Sequence, residues 1–447
     1  MPAATAYQKT QDFTDGKMIV ETVADAATDV SLEAEFTAVQ TNQAAIPAIF
    51  AAATLILKGT LDFDSNGIEL LQSLNTHTFF ADGYGCDPTG TADSRAGIIL
   101  ALQAAIDAGG GEVVFGQGTY TVSAMIDMAS DVTGADQPLM IRGLGEQLTE
   151  LKMTGTGTGI FNMNSSYGDV QFRDLTLSTN SLATGASTLV SNIVDDTQFL
   201  RVTFNPQHSA AQAAISFGTT TTNSNFKMVE CTIKGQYVGD PVSLYRTRDG
   251  LIANCIFDLS SSAPDSGIYV RSTGGSDNEG LRILNCNMRR TAGSARGTIS
   301  IDDAHTNRVL IQNMDIVHTA AIPAIECGTA TNVEIRGGTV DFNDNTDIVA
   351  IELLGTNILV DGLEVVGQGA SCEAQAFGIT SADQVQIMNC RVSDFGGTTT
   401  GDVFKATSDP TNSIAMGNNF ATANNAVTYP ATGLQYKTAA ADDYNIT

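Results

Sequence analysis

The sequence predicts an all-β fold, a right-handed, single-stranded parallel β-helix of about 11 coils. Three observations support this fold class: a repeat of about 27 residues, an alternation of apolar and polar residues within it, and a recurring polar corner. The repeat reads apolar, any residue, polar or Gly, apolar, any residue, apolar, as at 283–288 and 387–392. Repeats of this length stack as coils, because no single unit buries its apolar face alone.

The fourth position of the repeat identifies each coil, and it recurs in steps of 24 to 31 residues. We expect these positions to form one inward-facing column, in which the Cys residues act as small apolar side chains. The positions are Leu144, Leu175, Val202, Cys231, Cys255, Cys286, Met314, Gly338, Leu363 and Cys390.

Other repeat architectures fit the sequence less well. A propeller blade needs roughly 40 residues and often a Trp signature, and a leucine-rich repeat needs several Leu at fixed offsets. The chain has no Trp and little Leu stripe. Helical repeats would space apolar residues three and four apart, whereas units such as 333–336 alternate and are rich in β-branched residues. Short parallel strands, each about 4.8 Å further along the axis, fit best.

A polar residue recurs six positions before the fourth position of the repeat. Short Asx side chains suit a turn, because they hydrogen-bond their own backbone. We therefore interpret these residues as turn formers and not as catalytic groups. They are Asp169, Asp196, Asn225, Asp249, Asn332, Asn357 and Asn412.

Composition and charge exclude several classes of function. The 447 residues include 49 acidic and 22 basic side chains, and the net charge of −27 repels nucleic acid. The apolar stretch at 44–57 is too short for a membrane span and contains Pro47. The seven Cys lack the CxxC spacing of metal sites, so we expect neither a metal nor a cofactor.

The chain divides into three predicted segments. Residues 1–76 lack the repeat and contain a candidate helix capped by Ser31, which indicates an attachment or oligomerisation segment, or a simple folded extension. Residues 77–420 form the β-helix, with a helix at 94–108 that covers its open first coil. Residues 421–447 form a short polar C-terminal segment.

Short motifs at the start of the second segment resemble a known family. An Asp-Gly pair at 82–83, a helix start at 91–93, a Gly-rich stop at 109–111 and a turn at 118–120 follow one another. They resemble the opening of the pectate-lyase-type right-handed parallel β-helix superfamily as found in bacteriophage tailspikes and tail fibres, with Gln117 in place of the usual Pro. The resemblance covers about 40 residues closely, and the coils to 420 in pattern. It implies a homotrimer, and a location in the virion (phage tail) where residues 1–76 contact other phage tail or virion proteins.

One strand of each coil places candidate catalytic residues on a shared outer face. Equivalent positions in neighbouring coils lie about 5 Å apart, and diagonal positions about 7–8 Å apart. Carboxyl pairs of glycosidases need about 5–5.5 Å for retention of configuration or 6.5–9.5 Å for inversion. We expect the pair Glu326 and Glu352, or the pair Asp302 and Glu326, to fall at these distances, so these three are the candidate catalytic residues.

The same face carries candidate residues for glycan binding. Tyr269 offers a flat face for stacking on a sugar, and Arg246 and Arg271 offer hydrogen-bond donors for acidic sugars. Tyr245 and Ser300 complete the candidate binding set. The alternative is that a chain with 49 acidic residues places several of them on any face by chance, and that Arg271 and Asp302 form only a solvated ion pair.

Three functions are compatible with these features. The first is a phage virion tailspike or tail fibre that recognises host cell-surface glycan for adsorption, without necessary catalysis. The second is a glycan depolymerase, a hydrolase or lyase that acts on bacterial surface polysaccharide. The third, a free secreted polysaccharide lyase or hydrolase, is disfavoured because residues 1–20 show no signal peptide. Coils of 24 to 31 residues leave little room for long cleft-forming loops, which favours recognition over catalysis.

Overall fold

The computed structural model divides the chain into two units, Met1–Thr76 and His77–Thr447. It describes residues 77–438 except for 135–136, 156–158, 164–168, 181–186, 194, 208–210, 218–222, 272–277, 294, 343–347, 370–373, 381, 396–403, 407–411 and 422–433. The predicted attachment segment at 1–76 lies outside the described residues, and the predicted C-terminal segment is described only at 421 and 434–438.

The described residues form one α-helix, one short 3₁₀-helix and 35 strands. The helix α1 spans Arg95–Asp107, and the 3₁₀-helix spans Ala81–Tyr84. The first strands are β1 Thr78–Phe80, β2 Gly111–Val114, β3 Gly118–Val122, β4 Ile126–Asp127, β5 Leu139–Arg142, β6 Thr149–Met153, β7 Phe161–Asn162, β8 Val170–Thr179, β9 Ser187–Ile193, β10 Gln198–Pro206, β11 Ala211–Phe217 and β12 Asn223–Ser224. The middle strands are β13 Lys227–Val229, β14 Thr232–Lys234, β15 Val242–Tyr245, β16 Thr247–Arg248, β17 Leu251–Ala253, β18 Ile256–Leu259, β19 Ile268–Arg271, β20 Asn278–Glu279, β21 Arg282–Leu284, β22 Asn287–Arg290, β23 Ile299–Ile301 and β24 Thr306–His318. The last strands are β25 Ile325–Cys327, β26 Thr331–Phe342, β27 Val349–Leu353, β28 Thr356–Asp361, β29 Glu364–Gly369, β30 Gln375–Ile379, β31 Asp383–Met388, β32 Arg391–Phe395, β33 Phe404–Ala406, β34 Ser413–Ala421 and β35 Leu434–Thr438.

These strands confirm the predicted parallel β-helix. Eleven strands, β4, β7, β9, β11, β15, β19, β23, β25, β27, β30 and β33, stack into one sheet, and the other 24 belong to a second sheet. Each strand pairs in parallel with the equivalent strand of the next coil, as when Ile252 of β17 aligns with Ile283 of β21 and then with Ile311 of β24. These aligned side chains are fully buried, so the core is a set of apolar columns along the axis.

The predicted inward column is confirmed except at its first member. Register aligns Leu175 with Val202, and the column then continues through the predicted positions to Cys390, all at most 1% exposed apart from Gly338. Leu144 is predicted to start this column but is 51% exposed, so that assignment is wrong. Residues 144–148 form a turn between β5 and β6, and the buried Thr149 begins the next strand. The extra turn residues push Leu144 out of the coil.

The predicted Asx corner is a row of residues in the left-handed backbone conformation. Its seven predicted members have φ between 52° and 58°. Asn and Asp tolerate this conformation better than other residues with a side chain. Their side chains also bond from coil to coil, as when Asn225 Nδ2 donates to Asp196 Oδ1 at 2.9 Å. These residues therefore turn the chain, as the sequence predicts.

A second left-handed corner lies at the polar or Gly position of the repeat, directly before the inward column. It includes Asn254, Asn285 and Asn313, with φ of 55°, 53° and 51°. Asn285 Nδ2 donates to Asn254 Oδ1 at 3.3 Å, and Asn313 Nδ2 donates to Asn285 Oδ1 at 3.2 Å. The two corners explain why the chain turns at the same two places in the sequence of each coil.

The helix α1 covers the first coil, where the sequence predicts a cap. Its apolar face buries Ile98, Leu102 and Ile106 against the core. Gly109 and Gly110 follow it with positive φ, as expected for a helix stop. Within the described residues, no helix is long and apolar enough to span a membrane.

In the part of the chain that the structure describes, six cysteines lie in the interior as free thiols, and Cys231, Cys255 and Cys286 occupy equivalent positions in successive coils. Each of these three is 1% exposed. Burial raises the pKa of the Cys327 thiol to about 12. Within the described residues, no group of three or more His, Cys, Asp or Glu side chains has an arrangement that could hold a metal ion.

Candidate functional site

The outward positions of the 11-stranded sheet form one column that contains several of the predicted site residues. Register aligns Ser243 of β15 with Tyr269 of β19, and Tyr269 with Ser300 of β23. The column continues through Glu326 of β25 to Glu352 of β27. Aligned Cα atoms in adjacent parallel strands lie about 4.8 Å apart. Four predicted site residues therefore occupy four consecutive coils.

An open cleft of about 340 Å³ lies at one end of this column. Its floor includes the small side chains of Ser216 and Ser243, which align with Tyr269. The strands β9, β11, β15 and β19 and the loops that precede β15, β19 and β23 surround it. The serine side chains are small, and the next residue in the column, Tyr269, is large. The surface is therefore lower at the serines, which makes the site concave.

One wall of the cleft is a charged cluster around Arg296. Its Nη1 lies 3.3 Å from both carboxylate oxygens of Asp240 and 3.7 Å from Oδ2 of Asp265. Ser266 Oγ donates a further hydrogen bond of 2.7 Å to Asp240 Oδ1. Burial raises the pKa of Asp240, while the bond from Ser266 and the charge of Arg296 act in the opposite direction.

A second guanidinium group stands in the cleft without an acidic partner. The Arg271 guanidinium carbon lies 4.6 Å from the centre of the Tyr245 ring and 5.4 Å from that of Tyr269. Within the described residues, Arg271 forms no ion pair, and its buried Nε has no hydrogen-bond partner. Ring stacking holds the flat guanidinium group in place. No carboxylate of the described residues pairs with it directly, although its charge is one of those that lower the pKa of Asp240.

Tyr269, which the sequence predicts to stack on a sugar, packs against two guanidinium groups in the structure. Its side chain is only 3% exposed, and the Arg296 guanidinium carbon lies 4.2 Å from the ring centre. The ring therefore supports the two guanidinium groups and does not offer a free face to a sugar. Among the three aromatic residues that line the cleft, Tyr245 is half-buried, whereas Phe217 and Tyr269 are each 3% exposed.

The predicted carboxylates Glu326 and Glu352 lie in adjacent coils beyond the cleft. Glu326 Oε2 accepts hydrogen bonds from the Gly297 amide at 3.0 Å and from Ser300 Oγ at 3.1 Å, which fix its orientation. Burial, and secondly the charge of Glu326, raise the pKa of Glu352. A carboxyl group with a raised pKa beside a well-oriented carboxylate is the arrangement that acid–base work on a glycosidic bond uses.

The remaining predicted residues lie at the margin of the site. Asp302 follows β23, is exposed, and within the described residues forms no ion pair with Arg271. Arg246 has a φ of 53°, at the turn after β15, and is not among the residues that line the cleft. Ser300 is 1% exposed, so it acts on Glu326 and not on a ligand.

Three residues of the cleft are missed by the sequence prediction of the site: Asp240, Asp265 and Arg296. They belong to loops, where a repeat pattern gives no direction for a side chain. A signal is nevertheless present, since each lies two or three residues before an aligned strand in three successive coils. Charged residues of both signs at such equivalent positions indicate a cluster across coils.

Comparison with known proteins supports the fold. No family model and no curated protein matches the sequence. The A-module of a mannuronan C-5 epimerase from Azotobacter vinelandii aligns with a TM-score of 0.55 at 14% identity over 81% of this chain and 100% of that chain. PfbA, a surface adhesin of Streptococcus pneumoniae, aligns with a TM-score of 0.52 at 12% identity over 81% of this chain and 90% of that chain. Tailspike protein 3 of bacteriophage CBA120 aligns with a TM-score of 0.44 at 14% identity over 89% of this chain and 70% of that chain.

The fold and the comparisons together define the class: this chain is a parallel β-helix protein. At such low identity, the likeness to the epimerase module and the adhesin concerns the fold alone. The particular activity has to be argued from the cleft and its neighbouring carboxylates.

Proposed function

We propose that this protein is a phage tailspike or tail fibre that recognises a bacterial surface polysaccharide through the cleft at Tyr245 and Arg271. The observation that carries the binding proposal is the stacked Arg271 guanidinium group, which faces an open cleft without an acidic partner. Guanidinium groups bind the carboxylates and hydroxyls of glycans through geometrically fixed donors. The virion location rests on the resemblance of residues 82–120 to tailspikes.

The form of the site favours recognition. Its walls come from strands and short loops, so a polysaccharide chain has access along the side of the coils. The paired charges of Arg296 with Asp240 and Asp265 keep the wall rigid. A rigid, shallow, polar site of this kind binds an extended ligand without a large ordering cost.

A depolymerase is the second candidate function, and Glu326 and Glu352 support it. They are adjacent in one outward column, and the pKa of Glu352 is raised by burial and by Glu326. In this function Glu352 protonates the leaving oxygen and Glu326 acts as the second carboxylate. Both groups lie on the same sheet as the cleft, so one polysaccharide chain can extend over both.

A homotrimer is the proposed assembly, and a second copy of this chain is the proposed partner of one sheet face. An apolar strip faces outward over four successive coils of the 24-stranded sheet: Leu200, Val229 and Leu284 are half-buried, and the buried Ala253 lies between the last two. Exposed Lys227 and Arg282 lie beside this apolar strip, each two residues before a member of it, in a chain with a net charge of −27. Basic residues beside an apolar strip complement the acidic surface of another copy.

One experiment tests binding and cleavage together. The protein is incubated with mannuronan, with its uncharged counterpart mannan, and with a panel of bacterial capsular polysaccharides. Calorimetry gives the dissociation constants, and size-exclusion chromatography gives the chain lengths. We expect at least one polysaccharide to bind, and Arg271→Gln to weaken that binding about 10- to 100-fold, as for a lost charge-assisted hydrogen bond. Arg289→Gln, at an exposed arginine on the other sheet, is the matched control.

The outcomes separate the two functions. Shortened chains that disappear in Glu326→Gln and Glu352→Gln, with binding retained, establish the depolymerase. Binding without shortening establishes recognition alone. Equal binding by the wild type and Arg271→Gln contradicts the cleft as the binding site, and an absence of binding to every polysaccharide contradicts the glycan function.

A further inference from the structure

A buried arginine lies directly behind the cleft, in one of the side-chain columns of the core. Arg290 ends β22 and is 0% exposed. Register aligns it with Leu259 in the preceding coil and with His318 in the next, and His318 aligns with Phe342. A guanidinium group in such a column costs free energy unless its donors are satisfied.

The Arg290 donors are satisfied almost entirely by backbone carbonyls of two loops. Nε donates to Ala292 O at 3.0 Å, and Nη1 donates to Arg296 O at 2.7 Å. Nη2 donates to Asp265 O at 3.0 Å and also to Pro264 O. One side chain thus bonds the carbonyls of two cleft residues that belong to different coils.

The loop that contains Gly293 packs tightly against the Arg290 side chain. A Cβ atom on Gly293 would lie 1.9 Å from Arg290 Nη2, and φ at Gly293 is 146°, so only a glycine leaves room for the guanidinium group there. The backbone continues the connection, because Arg296 N donates to Asp265 O at 3.0 Å and Asp265 N donates to Gly239 O at 3.2 Å. The cleft wall is therefore three loops joined in a ladder, with Arg290 bonded to the last two.

We propose that Arg290 is a positioning residue of the glycan site: it acts through the Asp265 and Arg296 backbones to hold the Arg296 guanidinium group beside Asp240 and over Tyr269. The glycan ligand in this assignment rests on the proposed function, whereas the positioning of Asp265 and Arg296 by Arg290 does not depend on it. Arg290 does not reach the cleft, since it is not among the lining residues and has no exposed surface. Burial lowers its pKa to about 10, so it keeps its charge at neutral pH.

Arg290→Lys tests this role, because lysine keeps the charge and loses the fork that spans two loops. Hydrogen–deuterium exchange is measured on the full chain, in peptides that contain Asp265 and Arg296. We expect the amides of these two residues to exchange at least ten times faster than in the wild type, while peptides of β8 and β10 are unchanged. The matched control is Arg289→Lys, which makes the same substitution at the exposed neighbouring residue. If Arg290→Lys does not fold, Arg290→Leu is the second variant, because leucine already occupies the equivalent position, Leu259, in the preceding coil.

The functional part is tested by a double-mutant cycle with mannuronan as the probe. We expect Arg290→Lys to weaken binding about tenfold in the wild-type background and to have no further effect when Arg296 is already replaced by alanine. Equal effects in both backgrounds overturn the assignment, because they show that Arg290 does not act through Arg296. Unchanged exchange at Asp265 and Arg296 overturns it as well. If the wild type does not bind mannuronan, that result contradicts the proposed ligand only. The hydrogen–deuterium exchange result then decides whether Arg290 is a positioning residue.

Discussion

At the scale of single residues, the site depends on polar groups placed inside the core. His318 lies beside Arg290 in the same buried column and is 0% exposed. Its Nδ1 is 2.8 Å from Thr298 Oγ, its Nε2 is 2.8 Å from Ile322 O, and its ring stacks on Phe342. Thr298 follows the loop that carries Arg296, so His318 and Arg290 support the same wall from behind.

His318 makes the stability of the protein depend on pH. Burial, and secondly the charge of Arg290, lower its pKa from an ordinary value of 6.5 to about 4. Between these values the unfolded chain binds a proton that the folded chain does not, so stability falls as the pH falls from 6.5 to 4. We expect this histidine to account for a loss of up to roughly 3 kcal/mol over that window. This pH dependence fades above about pH 7.5, where the unfolded chain no longer binds the proton.

Denaturant unfolding between pH 7.5 and 4.5, followed by circular dichroism, measures this effect. The variant His318→Gln keeps a polar group but cannot titrate, so its stability is expected to change less with pH than that of the wild type. The comparison at pH 7.5 gives the cost of the substitution itself. Parallel curves for the two proteins would contradict the assignment.

At the scale of the coil, the sequence predicts the strands and the turns well. The period, the inward column and the Asx corner are properties of short segments, and each can be recognised from residues such as Cys286 and Asn357 without knowledge of their neighbours in space. Leu144 is misplaced because a five-residue turn leaves the repeat spacing intact while it changes the register. The cleft is only partly predictable, since the positions of Asp240 and Arg296 depend on loops held by a buried Arg290.

The second left-handed corner gives a prediction at this scale. Asn285 has a φ of 53° and bonds the asparagines of both neighbouring coils. A β-branched residue is strained in this conformation, so Asn285→Val is expected to lower the free energy of unfolding by about 1–3 kcal/mol. Asn285→Gly relieves the backbone and loses only exposed hydrogen bonds, with a smaller expected cost.

Urea denaturation compares the two variants with Asn287→Val. Asn287 lies two residues further on, exposed in β22, where an extended backbone accepts valine. We expect Asn285→Val to be the least stable of the three. Equal stability of Asn285→Val and Asn285→Gly would show that the corner carries no strain.

At the scale of the whole molecule, the proposed trimer follows from the apolar strip and the resemblance to tailspikes. Light scattering of the full chain is expected to give about 140 kDa, three times the 46.7 kDa of one chain. Leu284→Glu places a charge in the strip and is expected to shift the protein towards 46.7 kDa. Ile256→Glu is the control, because Ile256 is 51% exposed and lies after the second corner, on another face. A wild type of 46.7 kDa contradicts the trimer, and dissociation in both variants contradicts the choice of face.

The stacked cysteines have a consequence for how this fold can be observed. A thiol reacts with reagents only as an exposed thiolate. Cys231, Cys255 and Cys286 are buried at equivalent positions in successive coils, and burial raises the pKa of Cys327 to about 12 and that of Cys390 to about 11. Each of these buried cysteines therefore reacts only after its own coil opens. The rate at which each buried thiol reacts therefore reports when its coil opens. The order of coil opening along the axis can be followed in this way without an added label.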